Sequence, residues 1–264
     1  MNRLDSEVAL RGLLPSREKA KAAICAGLVL VNGREERRPS RMVGDGDALS
    51  LLEGAEPFYV GRGSFKLLKA LDFFGIPIGG MRCLDVGAST GGFTQVLLER
   101  GASLVYAIDV GTGQLAQALR HDRRVISLER TDFRTLSREQ AGAFDFACVD
   151  VSFISLKLIL PNLYSLLKEE SGAVCLVKPQ FEAGPHRVKK GVVKEPRIQA
   201  EVIAELFSAA REMGFHICGI THSPICGGEG NIEYLMNIRK GICNAEVQVQ
   251  PAEIVRLAWE DLKG

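Results

Sequence analysis

From residue 82 onward, short apolar runs rich in β-branched residues alternate with stretches whose apolar positions recur every three or four residues. The short runs are "RCLDVG", "LVYAID", "VISLER", "FDFACVDVSF", "AVCLVKPQ", "HICGITHSP" and "EYLMNIRK". Between them lie "GGFTQVLLERG", "GQLAQALRHD", "ISLKLILPNLYSLLKEE" and "RIQAEVIAELFSAAREMG". A short unbroken apolar run predicts a strand buried on both faces, and the longer period predicts a helix with one apolar face. Strand and helix in alternation predict a doubly wound α/β domain with a mostly parallel sheet. The last two runs follow each other without a helix, which predicts an antiparallel pair at one edge.

Up to Leu52 the pattern is different. Leu4 and Val8, and then Leu10 and Leu13, stand at helical spacings. Ser16 is placed to cap a second helix over "REKAKAAICAG", and Gly27 to end it in the left-handed conformation. "LVLVNG" reads as a strand entering an Asn-Gly turn, and "ALSLLEG" as a further strand. "EGAEPFYVGR" interrupts both patterns, with Pro57 holding Glu56 extended. The expected organisation is a small α+β domain over 1–55, a linker over 56–62 and the α/β domain over 63–264.

Composition narrows the function classes. A length of 264 residues suits a medium domain plus a small one, at about 100–200 residues per typical domain. The formal net charge is only +1, so any nucleic-acid site is a local patch. Residues 1–52 hold nine Lys/Arg against seven Asp/Glu, with Arg17, Lys19, Lys21, Arg37, Arg38 and Arg41 around the second helix and the loop after the turn. On charge alone a solvated face is the better reading. The seven cysteines are odd in number and none has C-x-x-C spacing, which argues against a disulfide framework or a zinc site. No run reaches the ~20 apolar residues of a membrane span, and the charged N-terminus is unlike a signal peptide. A cytoplasmic protein is expected.

The N-terminal pattern "RLD…PSR-KA…I-AG-V-VNG…RPS-MV-DGD-L-L" resembles the S4 domain, a small RNA-binding module. The resemblance covers residues 2–52 and implies phosphate contacts, for which Arg3, Arg17, Lys19, Lys21 and Arg38 are the candidates. Arg38 stands where the family usually has Lys, which keeps the charge. Such contacts position a substrate more than they specify it.

"CLDVGASTGG" ends an apolar strand in an acid and a glycine-rich loop. In an open α/β sheet, ligands sit outside the carboxyl ends of the strands. Asp85, Gly87, Ser89, Gly91 and Gly92 are candidates to approach a nucleoside there. Asp109 ends the next strand, 24 positions on, where an acid accepts from ribose hydroxyls. Asp132 follows the third strand in "RTDFR". The dinucleotide fingerprint needs G-x-G-x-x-G, and here Ser89 occupies the place of its second glycine. The spacing D-x-G-x-x-x-G-G resembles motif I of class I S-adenosylmethionine-dependent methyltransferases, and "RTDFR" lies where such enzymes often contact adenine.

For the methyl acceptor, the [N/D]-P-P-[Y/F] element of amino methylation is replaced by "VDVSFIS". The cysteine nucleophile of pyrimidine C5 methylation is also unsupported, because Cys148 and Cys175 lie within strands. Four other residues fit: Lys66 ahead of the first strand, Asp150 and Lys178 at strand ends, and Glu233 at the start of the last strand. Together they resemble the Lys-Asp-Lys-Glu tetrad of FtsJ-like ribose 2′-O-methyltransferases. With the S4 pattern, "DVGASTGGFT", "VDVSFISL", "VKPQFE" and "KGVV", the chain closely resembles the TlyA family, also labelled haemolysin A. Gly61, where that family commonly has Ser, is a minor departure. The resemblance implies S-adenosyl-L-methionine as cofactor and 2′-O-methylation of cytidine in ribosomal RNA, with ribosomal RNA or ribosomal subunits as partner. Lys178 would act on the 2′-hydroxyl, as a neutral base or as an ammonium stabilising the oxyanion. Asp150 would orient it, Lys66 and Glu233 would position the ribose, and no metal is required. Rival readings are a non-catalytic RNA-binding or ribosome-assembly protein, a haemolysin and a nicotinamide dehydrogenase.

Overall fold

A computed structural model describes residues 2–14, 17–25, 27–52, 59–241 and 250–263. Ser16, Cys243 and the first three residues of the expected linker, 56–58, lie outside the described residues. The chain divides into two units, residues 1–60 and 61–264.

Among the described residues, the first unit has five short strands and two helices. In chain order these are β1 (Asn2–Arg3), α1 (Leu4–Leu10), α2 (Arg17–Cys25), β2 (Val29–Val31), β3 (Arg34–Glu35), β4 (Met42–Val43) and β5 (Leu49–Leu51). β2 pairs antiparallel with both β3 and β5, and β1 pairs with β4. Asn32 and Gly33 both have positive φ, the geometry of the tight hairpin turn that Asn-Gly encodes. Leu4, Val8, Ala20, Ala23, Ile24, Val29, Val31 and Val43 close a small core. Helices and strands are each too short to be stable alone, so this shared core is what holds them.

The second unit opens with α3 (Gly63–Phe74), β6 (Arg82–Val86), α4 (Gly92–Glu99), β7 (Leu104–Ile108), α5 (Gln117–Arg120), β8 (Val125–Leu128), α6 (Arg138–Ala141) and β9 (Phe144–Val149). It continues with α7 (Leu160–Leu166), β10 (Leu167–Val177), α8 (Pro179–Glu182), α9 (Pro196–Glu212), β11 (Phe215–His222), β12 (Tyr234–Lys240) and α10 (Pro251–Lys263). Seven strands form one sheet in the order β11-β12-β10-β9-β6-β7-β8. β12 is antiparallel to both of its neighbours, β10 and β11. The expected antiparallel pair is therefore present, with β11 outermost and β12 wedged inside it. The order reverses at β6, and the glycine loop leaves the sheet from that strand.

Two stretches depart from their expected form. "ISLKLILPNLYSLLKEE" is a 3-10 turn over Leu156–Leu158, a short helix, and then strand from Leu167. Leu167 pairs with Phe144 of β9, so sheet pairing overrides the helical propensity of the Lys-Glu-Glu run. "GQLAQALRHD" holds one helical turn, Gln117–Arg120. α3 and α10 were not among the expected helices.

Candidate active site

The glycine loop is shaped by the protein around it. Gly87 has φ +85°, and a Cβ on it would collide with the Asp150 carbonyl at the end of β9. Asp150 N–H donates to the Val86 carbonyl at 2.9 Å, which ties the two strand ends together. Ser89, with φ +48°, donates its N–H to Asp109 Oδ2 at 2.8 Å, and Gly111 N–H donates to Asp109 Oδ1 at 2.7 Å. Asp109 is thus fixed at the end of β7 facing the loop. Asp132 accepts from Arg134 N–H at 3.0 Å and pairs with its guanidinium at 2.6 Å. That pairing holds the Asp132 carboxyl below the ordinary range. Gly87, Ser89, Asp109, Asp132, Asp150 and Phe153 are among the residues lining a cleft of about 440 Å³ outside the strand ends.

Three expected cofactor contacts do not line this cleft. Asp85 is fully buried beneath the loop and accepts from Thr94 Oγ1 at 2.6 Å. Burial raises its carboxyl to about 7, against a smaller opposing effect of the Thr94 bond. Gly91 packs against Leu115 and Leu119, and Gly92 against Ser64, so both are glycine because protein atoms crowd them. All three lie behind the loop, whereas Gly87 and Ser89 line the cleft.

The four expected catalytic residues come together as one chain of alternating charge. Glu233 Oε2 lies 2.6 Å from Lys66 Nζ, and Lys66 Nζ lies 3.9 Å from Asp150 Oδ2. Asp150 Oδ1 lies 2.6 Å from Lys178 Nζ. Both lysines are only 8% exposed and Glu233 is 2% exposed. Buried charges need paired partners, and two cations with two carboxylates supply them without net charge. Lys66 comes from α3, Asp150 follows β9, Lys178 follows β10, and Glu233 precedes β12. Because β12 runs backwards, the start of that strand meets the ends of the others. Gly227 makes room for the Glu233 carboxylate, which a Cβ there would strike.

The structure adds residues to the expected set. Lys178 Nζ donates to Ser152 Oγ at 2.8 Å and lies 5.8 Å from the Phe181 ring centroid. Phe153 is 90% exposed at the cleft, has φ +63° and rests on Phe181 with centroids 4.9 Å apart. Ser152 and Phe153 stand in "VDVSFIS", directly after Asp150, which was the available signal. The left-handed backbone of Phe153 has no signal in sequence, because no Gly or Asn marks it. Cys148 and Cys175 are buried in their strands, and burial pushes the Cys175 thiol up to about 12, far from a reactive thiolate.

In the first unit, Arg3 and Arg17 both pair with Asp5, at 2.9 and 3.4 Å. Arg38 and Arg41 both pair with Glu36, at 3.2 and 2.8 Å. These arginines hold the carboxyls of Asp5 and Glu36 down at about 2. Lys21 is exposed, and Lys19 is half-buried on the same helix, with its ammonium lowered by burial.

Known proteins share these features. The FtsJ-like methyltransferase family matches residues 59–240, and the S4 domain matches residues 2–49. The 16S/23S rRNA (cytidine-2′-O)-methyltransferase TlyA of Mycobacterium tuberculosis is 45% identical over 90% of this chain and 89% of its own. Hemolysin A of Brachyspira hyodysenteriae is 39% identical over 88% of this chain and 98% of its own. A solved structure from Streptococcus thermophilus that carries a provisional hemolysin name is 43% identical, covers 99% of this chain and 97% of its own, and superposes with a TM-score of 0.78. No helix of the described residues is long and apolar enough to cross a membrane. An S4 unit, a doubly wound sheet with its glycine loop at the switch point, and these relatives agree: the chain belongs to the FtsJ-like methyltransferase family, in the group with an N-terminal S4 domain to which TlyA belongs.

Proposed function

We propose that this protein transfers a methyl group from S-adenosyl-L-methionine to the ribose 2′-hydroxyl of cytidine in ribosomal RNA, in the cytoplasm. The observation that carries the reading is the buried chain Glu233–Lys66–Asp150–Lys178 at the wall of the cleft that holds Asp109. The cleft residues suit the cofactor. Asp109 is an anchored strand-end carboxylate for ribose hydroxyls, Gly87 and Ser89 offer close backbone approach, and Val110 and Phe133 supply apolar wall. When bound, the cofactor supplies an electrophilic methyl group on a sulfonium.

The chain's own residues supply the rest. An ammonium has three donors. Asp150 and Ser152 take two from Lys178, which leaves one for the ribose oxygen. Lys66, shared by Glu233 and Asp150, keeps the Asp150 carboxylate turned toward Lys178. Lys178 therefore meets the 2′-oxygen as it loses its proton and gains negative charge: as an ammonium it would stabilise that charge while the proton passes to solvent, and as a neutral amine it would take the proton itself. The S4 unit, residues 1–55, recruits RNA through Arg3, Arg17, Lys19, Lys21 and Arg38, and the chemistry resides in 63–264.

The reading is tested by incubating purified protein with ribosomal RNA and S-adenosyl-L-methionine, then mapping 2′-O-methyl groups. New methylation confined to cytidine ribose is expected. Base methylation, or transfer to no ribosomal RNA or subunit, would overturn it. Asp109→Ala is expected to weaken binding of S-adenosylhomocysteine in calorimetry.

A further inference from the structure

The segment between α8 and α9, with the first residues of α9, is a basic island in a domain that carries a net negative charge elsewhere. Residues 183–197 hold Arg187, Lys189, Lys190, Lys194 and Arg197 against Glu195 alone, whereas residues 53–264 as a whole hold 24 Lys/Arg and 25 Asp/Glu. The segment is also built rather than loose. Lys189 and Val192 exchange both backbone hydrogen bonds at 3.1 Å. The two residues between them, Lys190 and Gly191, have φ +51° and +77°. Two positive φ values in a two-residue loop give a tight hairpin turn whose twist suits its arms.

The hairpin is bolted to the parts that carry the tetrad. Val193 is buried, its N–H donates to Asn231 Oδ1 at 3.1 Å, and its carbonyl accepts from Gln199 Nε2 at 2.8 Å. Asn231 Nδ2 also donates to the Gly191 carbonyl at 2.8 Å. Asn231 is buried two residues before Glu233. At the other end, the chain reaches the hairpin from Lys178 through α8.

The charges on it are not equal. Arg187 pairs with Glu201 at 3.1 Å, Arg197 with Glu201 at 2.9 Å, and Lys189 lies 3.9 Å from Glu195. The Glu229 carboxylate lies against Gly191 at the turn. Lys190 and Lys194 are exposed and form no ion pair among the described residues. By contrast, Arg3, Arg17 and Arg38 of the S4 unit share two internal carboxylates.

We propose that this hairpin is an RNA-binding element of the catalytic domain itself, in which Lys190 and Lys194 hold backbone phosphates beside the target nucleotide. The proposal rests on the RNA substrate argued above. Lysine ammonium groups are point charges suited to phosphate, and each phosphate neutralised releases counterions. A turn already fixed by its own hydrogen bonds loses little freedom on binding, so its charges are not wasted on ordering the loop. Its tie to Asn231 registers those phosphates against Glu233 and Lys66.

The test uses the full chain carrying Lys190→Gln and Lys194→Gln, and separately Lys190→Glu and Lys194→Glu. RNA affinity is measured against salt with protein-free ribosomal RNA, and methyl transfer is measured on that RNA and on intact ribosomal subunits. The glutamine pair is expected to make the slope of log affinity against log salt shallower by about 1.4–1.8, for two phosphates lost. KM for RNA should rise on the order of tenfold with kcat nearly kept, the glutamate pair should be worse, and S-adenosylhomocysteine binding should be unchanged. An unaltered salt slope and KM in the glutamate pair would overturn the proposal. So would normal binding and methylation of protein-free RNA with activity lost only on subunits, which would make the hairpin a protein contact. If the wild-type protein methylated no ribosomal RNA yet bound it with a slope dependent on these lysines, the hairpin would stand and the proposed reaction would fall.

Discussion

Asp150 and Ser152 already engage Lys178 Nζ, so the side chain has one direction left in which to act. Lys178→Ala is expected to lower kcat by about 10²–10⁴-fold while calorimetric binding of S-adenosylhomocysteine and RNA stays near normal. Lys178→Arg separates the two roles, since a guanidinium stays charged and cannot act as base. Strong activity in that variant would assign Lys178 to electrostatic stabilisation; no rescue is expected, since the guanidinium fork also differs from an ammonium. Phe153 presents a different cost. A non-glycine residue at φ +63° costs on the order of 1 kcal/mol, and here it buys an exposed ring seated on Phe181. An aromatic face beside the ribose site suits stacking on a base, worth about 1–3 kcal/mol. Phe153→Ala should therefore raise KM for RNA at least several-fold with cofactor affinity unchanged, and Phe153→Tyr should restore it. An unchanged KM in the alanine variant would count against stacking. Asp85 yields a prediction in pH. Unfolded, its carboxyl loses a proton near 4; folded, it holds one up to about 7. Its contribution to stability is thus complete below pH 4 and is lost as pH rises to about 7, on the order of a few kcal/mol at most. Asp85→Asn should flatten that descent in melting temperature, whereas identical pH profiles would show that Asp85 does not titrate in this way.

At the scale of elements, the site is made by strand ends meeting, and the loop after β6 leans on the end of β9. Gly87→Ala places a methyl group against the Asp150 carbonyl and strains a positive φ. It should cost on the order of 1–3 kcal/mol in denaturant unfolding and weaken cofactor binding, since the collision is with backbone that cannot turn aside. Wild-type stability and binding would show that the loop moves freely. The strands from β6 to β12 were legible because their apolar runs are short and bounded, and strand-end Asp109, Asp150 and Lys178 followed directly. Glu233 and Lys66 were legible only as parts of a recognised set, because neither ends a parallel strand. Asp85, Gly91 and Gly92 lie behind the cleft rather than along it, a placement hidden in sequence, which shows that a glycine is needed but not what crowds it. The Lys-Glu-Glu run after Leu167 was misread because its fate depends on a partner strand more than 20 residues earlier, which local periodicity does not contain. Ser152 sat in a quoted motif, yet its role appears only when Lys178 comes within 2.8 Å.

For the whole molecule, each unit has its own core, so the S4 unit should be separable. Removing residues 1–55 is expected to leave S-adenosylhomocysteine binding near normal while RNA affinity and methylation fall. Equal methylation of ribosomal RNA by the shortened and full chains would refute this division of labour. The reversed direction of β12 also has a consequence in time. A ribosome makes this chain from residue 1, and domains generally fold in that order as they emerge. The S4 unit, the cleft over β6 and β7, and three of the four charged residues are all synthesised before Glu233, which enters with a strand that must be inserted between two others. Until then Lys66 lacks its closest counter-charge. A nascent chain can therefore present its S4 unit well before its buried charge chain is complete, and that chain closes only with the closing of the sheet.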